Sequence, residues 1–152
     1  MAVTIAPATE AMQAIVDQIN GGGAFELAVA ATYSENIVDP LEEITALRVD
    51  VVSETEEQLN ETLDIEDRTS HLIRVWVRKK MSPENQDQID YLKLLHRQIF
   101  QRLNNFDSLD GRVKIWEIEN DAKECPIKSI LQQLGVFAAT LVMRVEVEAS
   151  YA

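Results

Sequence analysis

Residues 72–103 read LIRVWVRKKMSPENQDQIDYLKLLHRQIFQRL, and the change of rhythm inside them decides the fold. Leu72, Ile73, Val75, Trp76 and Val77 form a short run of β-favouring residues that ends in the basic triplet Arg78-Lys79-Lys80. Ser82-Pro83 then supplies a capping hydroxyl followed by a proline suited to a first helical position, which predicts a helix start. Beyond it, Ile89, Leu92, Leu95, Ile99 and Leu103 recur at three- and four-residue steps, the stripe of a helix with one buried side. Early Glu84, Asp87 and Asp90 and later Lys93, Arg97 and Arg102 match the helix dipole. A strand that hands over to such a helix predicts a sheet with a helix laid on it.

Downstream, Asp110-Gly111 reads as a turn and Arg112 to Glu119 as a fourth strand. Pro126 opens a short helix carrying Ile127, Ile130, Leu131 and Leu134, stopped by Gly135. A long strand follows from about Val136 to Val147, with Leu141, Met143, Val145 and Val147 on one side. Upstream, Thr9 caps a helix that runs to about Asn20, with Met12, Ile15, Val16 and Ile19 on one face. Gly21-Gly22-Gly23 ends it; the triplet lacks the preceding strand and the following Lys and Ser/Thr of a phosphate loop, so it reads as a turn. Phe25 to Tyr33 alternates as a strand, and after Asp39-Pro40 a second strand spans Leu47 to Val52, with Leu47, Val49 and Val51 facing in. Between it and Leu72 lies Ser53 to Ser70, acid-rich, with Leu59, Leu63 and Ile65 its only apolar anchors. It reads as an exposed loop or mobile arm. The expectation is one α+β domain over residues 1–152, a single mixed or antiparallel sheet of about five strands packed against two or three helices.

Composition narrows the function. The chain has 26 acids against 14 bases and a net charge of −12, the wrong balance for general nucleic-acid binding, which depends on cations that displace counterions. No run reaches the ~18 apolar residues of a membrane span, and the first twenty residues do not read as a secretory signal. One cysteine, Cys125, rules out an internal disulfide and suits a reducing compartment. It reads as a small buried residue before Pro126 rather than a reactive thiol. The charge is segregated. Glu35 to Asp67 holds twelve acids and one base, Arg48, whereas Arg68 to Lys80 holds five bases and no acid. Inside one chain the two blocks would pair as neighbouring elements; in a ring, one subunit's acids would meet the next subunit's bases.

Motifs for chemistry are lacking. His71 and His96 stand outside any zinc spacing, and no nucleophile elbow or Cys/His pair is recognisable. Asp64-Ile65-Glu66-Asp67 lacks the glycine turn of a calcium loop and reads as a solvated acidic face. Glu54, Glu56 and Glu57 would act as acid and base only in a cleft that separates their pKa values, which no feature of the sequence indicates. Trp76 and Trp116 sit out of phase with apolar neighbours, so their strands are either covered on both faces or present an aromatic to a partner. The expectation is therefore no enzyme, no cofactor and no metal. The candidate interface residues are Glu54, Glu56, Glu57, Glu61, Asp64, Glu66, Asp67, Arg68, Arg74, Trp76, Arg78, Lys79 and Lys80.

Several fragments resemble the tail-terminator proteins of long-tailed bacteriophages. They are Leu47-Arg48-Val49-Asp50-Val51-Val52, the acidic segment ending in Asp67-Arg68, Leu72-Ile73-Arg74-Val75-Trp76-Val77 with its basic end, the helix after Ser82-Pro83, and Gly135-Val136-Phe137 leading into Leu141-Val142-Met143-Arg144-Val145. The resemblance implies a hexameric ring that ends tail-tube polymerisation and joins the tail to a head-completion or neck protein, with sheath as a further contact. Such a protein is a structural virion component assembled in the host cytoplasm. DNA passes through the ring without specific binding, and the Ser53 to Ser70 segment is the expected arm toward a neighbouring subunit. Another neck component, such as a head-completion or adaptor protein, is the alternative within this class. A small ligand-binding domain or enzyme is the alternative outside it.

Overall fold

In the computed structural model, residues 6–20, 31–34, 47–58, 66–104, 113–119 and 124–150 are described. Their elements run α1 (Pro7–Asn20), β1 (Ala31–Ser34), β2 (Arg48–Gln58), β3 (Glu66–Lys80), α2 (Gln86–Asn104), β4 (Val113–Glu119), α3 (Lys128–Leu134) and β5 (Val136–Ser150). The sheet order is β1-β2-β3-β5-β4. β2, β3, β5 and β4 are antiparallel, and short β1 joins β2 in parallel. The α+β architecture is the one expected.

β3 and β5 are the spine. They pair in unbroken register from Glu66↔Ser150 to Lys80↔Val136. Because side chains alternate across a strand, one face gathers Ile73, Val75, Val77, Phe137, Ala139, Leu141, Met143, Val145 and Val147, all buried. α1 brings Ala11, Met12, Ile15 and Ile19 to that face, and α2 adds Ile89, Leu92, Leu95, Ile99 and Leu103, so one apolar cluster joins the two helices to the sheet. The other face carries Asp50, Val52, Arg78, Ala138, Thr140 and Val142, and these are buried as well.

Several local expectations are corrected. α1 starts at Pro7, with Thr9 inside its first turn, because the proline ring already holds the backbone angle of a first helical residue. Ser82-Pro83 forms a turn ahead of α2 rather than its first residues; the Ser82 hydroxyl accepts from the Glu84 amide at 3.3 Å. The cap is Asn85, whose side-chain oxygen accepts from the Gln88 amide at 3.2 Å while its own carboxamide donates to Gln88 at 3.4 Å. Gly135 does stop α3, at φ 65°, returning its amide to the Leu131 carbonyl; a Cβ there would lie 3.3 Å from the Met81 carbonyl oxygen.

The largest correction concerns Ser53 to Ser70. Residues 53–58 continue β2 and residues 66–70 begin β3, paired with each other from Thr55↔Leu72 to Gln58↔Thr69. What reads as a loop is thus ladder on both sides, with Glu54 as an extra residue where the register shifts between Ser53 and Thr55. Charged and polar side chains there suit the strand's position. β1 covers β2 only at Val49–Val52, so among the described strands residues 53–58 form a sheet edge, and charges and bulges discourage stray pairing at edges. The glycine triplet, Phe25 to Ala30, Asp39-Pro40, Leu59 to Ile65 and the Asp110-Gly111 turn lie outside the described residues.

Candidate functional site

The sheet separates charge along its length. β3 runs from Glu66 and Asp67 at one end to Lys79 and Lys80 at the other, and at about 3.3 Å per residue Asp67 and Lys80 stand about 43 Å apart. Around the first end lie exposed Glu56 and Glu57 on β2, and on β5 half-buried Glu146 and exposed Glu148, which the ladder places opposite Ser70 and Arg68. Glu56, Glu57, Glu66 and Asp67 therefore lie at the opposite end of the sheet from Lys79 and Lys80, whereas Asp50 and Glu54 of the acidic block sit beside Arg78 and Arg74 of the basic one and pair with them. Across a screening length of about 8 Å at physiological salt, the acids at the far end and Lys79 and Lys80 cannot neutralise each other within a chain.

Most of the candidate cations are engaged inside their own chain. Arg78 is 2% exposed and donates to Asp50 at 2.6 Å, with Asp50 itself 3% exposed. Arg48 reaches the same carboxylate at 3.3 Å. Arg74 binds both oxygens of Glu54, one at 3.3 Å, and its guanidinium lies 5.9 Å from the centre of the Trp76 ring. Arg68 pairs with Glu146 at 3.3 Å and Glu148 at 3.6 Å. Arg78 is thereby corrected as a surface contact residue: its position alternates onto the second sheet face opposite Arg48, where burial demands a carboxylate partner. Trp76 is half-buried on that face, and its indole N–H is buried without a hydrogen-bond partner. Lys79 is half-buried and Lys80 exposed. Glu66 and Asp67 are set by their backbone pairing to Ser150 and Ala149, while Glu61 and Asp64 lie outside the described residues.

Sequence reasoning missed Asp50 as the organiser of the Arg48–Arg78 cluster. Its signal was present: a lone carboxylate between Val49 and Val51 in an apolar strand, one alternation away from Arg48. His71 was also under-read. It is 0% exposed, its Nε2 lies 2.7 Å from the Thr69 hydroxyl and 3.8 Å from a Glu56 oxygen, and its Nδ1 is buried without a partner. His96 donates from Nε2 to the Thr140 carbonyl at 2.9 Å. Burial holds both imidazoles below their ordinary pKa, opposed by the Glu56 charge at His71 and by the Thr140 carbonyl at His96. The unfolded chain therefore takes up these protons first. Stability is full above about pH 6.5 and declines as pH falls below it toward the folded-state pKa values. Thermal unfolding should show a lower midpoint at pH 5.5 than at pH 7, with a shallower dependence in His71→Asn; equal midpoints at the two pH values would contradict this.

Burial pushes the Cys125 thiol up to about 11, so it stays protonated at neutral pH, in keeping with a packing role. Among the described residues no three His, Cys, Asp or Glu side chains gather in a metal-binding arrangement. No described helix is long and apolar enough to cross a membrane. What the site offers chemically is complementary charge at two separated ends.

No known protein family matches the chain, and no curated protein sequence does. Among solved structures, it is similar to the sheath/tube terminator of an extracellular contractile injection system (PVC), solved by cryo-electron microscopy in the extended state. That match has 15% sequence identity and a TM-score of 0.49 over 100% of this chain, which spans 58% of that protein's length.

Proposed function

We propose that this chain is a non-enzymatic tail terminator. Copies of it close into a ring, six the first choice, that caps a tail tube and presents a surface to a head-completion or neck protein, with sheath as a further contact. The observation that carries this reading is the separation of charge along β3: acids at one end, Lys79 and Lys80 at the other, about 43 Å apart. Two patches of opposite sign at opposite ends of a protomer suit head-to-tail association, and a head-to-tail contact whose repeated rotation closes on itself makes a ring, whereas one that does not makes an open filament. The fragments that resemble phage tail terminators supply the identity of the machine, and they include both charged ends. The net charge of −12 accords with a lumen that lets DNA pass without retaining it. In this reading the paired ends of β2 and β3, residues 53–58 and 66–70, are the arm toward the neighbour, and residues 1–152 are one domain.

The test is direct imaging of tails or tail-like particles that contain the protein, with the mass of the purified protein measured alongside. A six-fold ring at the end of the tube is the expected result. A ring of another order, or the protein absent from the tube end, overturns the assignment. A monomer in dilute solution does neither, since a terminator can wait for its tube before closing.

A further inference from the structure

A furrow runs between α2 and the segment that leads into α3. It comprises two adjoining cavities of about 380 and 360 Å³ that share Lys93 and Cys125. Its α2 wall is one stripe, Gln86, Ile89, Lys93, His96, Arg97 and Phe100, and its other wall is Glu124 to Lys128 with Leu131. At 1.5 Å per residue that stripe is about 21 Å long, room for about six residues of extended chain. The floor is apolar, formed by Leu141 and Phe100, and among the described residues the rim is cationic: Lys93, Arg97 and Lys128 against one acid, Glu124.

Those three cations, with Lys79, Lys80 and Arg144, are ones that no carboxylate of their own chain holds among the described residues, and they alone of these line the furrow. Arg48, Arg68, Arg74 and Arg78 all hold carboxylates of their own chain. Lys93, Arg97 and Lys128 hold none among the described residues, although acids outnumber bases 26 to 14. In so acidic a chain, cations left unneutralised around an apolar furrow fit an acidic partner surface. The furrow lies beside residues 138–141 of β5, where Ala138 accepts from the Ile127 amide at 2.9 Å, toward the sheet's basic end. The chain's own acidic end is out of reach: Glu148 is seven strand residues beyond Leu141, about 23 Å away.

We infer that this furrow is the docking site for the acidic end of a second copy of the chain, with Glu56 and Glu57 of one protomer meeting Lys93, Arg97 and Lys128 of the next. The inference rests on the head-to-tail reading above and names the surface that receives the neighbour. All of these side chains except Glu56, which faces His71 at 3.8 Å, lack an ion pair among the described residues, and all five are exposed. Each contact is heterologous, so both ends of every protomer are used and the chain of contacts continues from copy to copy.

The experiment follows self-association by sedimentation at low ionic strength, in the parent and in two double variants, Lys93→Glu/Arg97→Glu and Glu56→Lys/Glu57→Lys. Exposed positions keep both variants folded, which circular dichroism checks. The parent should associate, more weakly as salt rises, and each variant alone should associate at least about tenfold more weakly because like charges now face each other. An equimolar mixture of the two variants should recover the parent's association, since every interface in an alternating assembly again joins opposite charges. Association that survives either reversal overturns the furrow as the receiving surface while leaving the ring intact. A parent that stays monomeric throughout at low ionic strength overturns it too, whatever images of assembled tails show about the ring. Reversals that weaken association without recovery in the mixture also overturn it, because the two surfaces then do not meet.

Discussion

Asp50→Ala should destabilise the folded chain by about 3–5 kcal/mol, the usual cost of leaving a buried charge without its partner. The charge in question is Arg78, 2% exposed, whose donation to Asp50 at 2.6 Å is its only hydrogen bond between side chains among the described residues and whose Nε is already buried without a partner. Arg48 shares the Asp50 carboxylate at 3.3 Å, but its side chain is 39% exposed and can turn to water. Arg78 has no such exit. Arg78→Glu should cost at least as much, since it sets two carboxylates against each other on the buried face. Reversal of Arg78 is therefore a poor probe of assembly: it would fail at folding. Replacing both partners by apolar residues of similar volume, Asp50→Leu with Arg78→Met, should be far milder than either single change, because no charge is then stranded. Urea unfolding of the three variants measures this. A loss below about 1 kcal/mol in Asp50→Ala would mean that water reaches the guanidinium and that the pair is not a structural element.

The same cluster shows where the sequence is legible and where it stops. Periodicity reports which residues share a face, so the core stripes of α1, α2 and β5 are read correctly down to Met12, Leu92 and Met143. It does not report which strands become neighbours. β3 pairs with β5 across an intervening α2, β4 and α3, and only that pairing brings Arg68 to Glu146. Nor does periodicity distinguish an acidic edge strand from a loop. Ser53 to Gln58 carries no apolar residue, because an edge strand draws its order from a ladder on one side rather than from burial on two faces. The charged ends were visible as blocks of sequence, but their separation along one strand was not, since it depends on β3 extending back to Glu66. The cationic furrow was invisible: Lys93 and Arg97 read as helix-dipole residues, and Lys128 comes to them only through tertiary packing.

Phe137→Ala should lower stability by about 3–5 kcal/mol and the thermal midpoint by about 6–20 °C, with unfolding still a single transition. Phe137 is 0% exposed and is the largest fully buried side chain described. Its place explains the size of the effect. β4 pairs with β5 only between Val142 and Val147, so the stretch from Val136 to Leu141 loses that neighbouring strand. Its open edge is closed by other means: the Ile127 amide donates to Ala138 at 2.9 Å, and His96 Nε2 donates to Thr140 at 2.9 Å. Those bonds hold only if α2 and the segment before α3 stay seated against the sheet. The seat is the apolar cluster in which Phe137 lies with Met81, Leu131 and Leu141, beneath the basic end and beside the furrow. Truncation removes the ring and leaves a cavity that paired strands cannot collapse to fill, whereas Phe137→Leu keeps most of the volume and should cost clearly less. A loss for Phe137→Ala below about 1 kcal/mol, or a separate early transition, would show that the basic end folds independently of the spine. The furrow would then not be held rigidly in place to receive a neighbour.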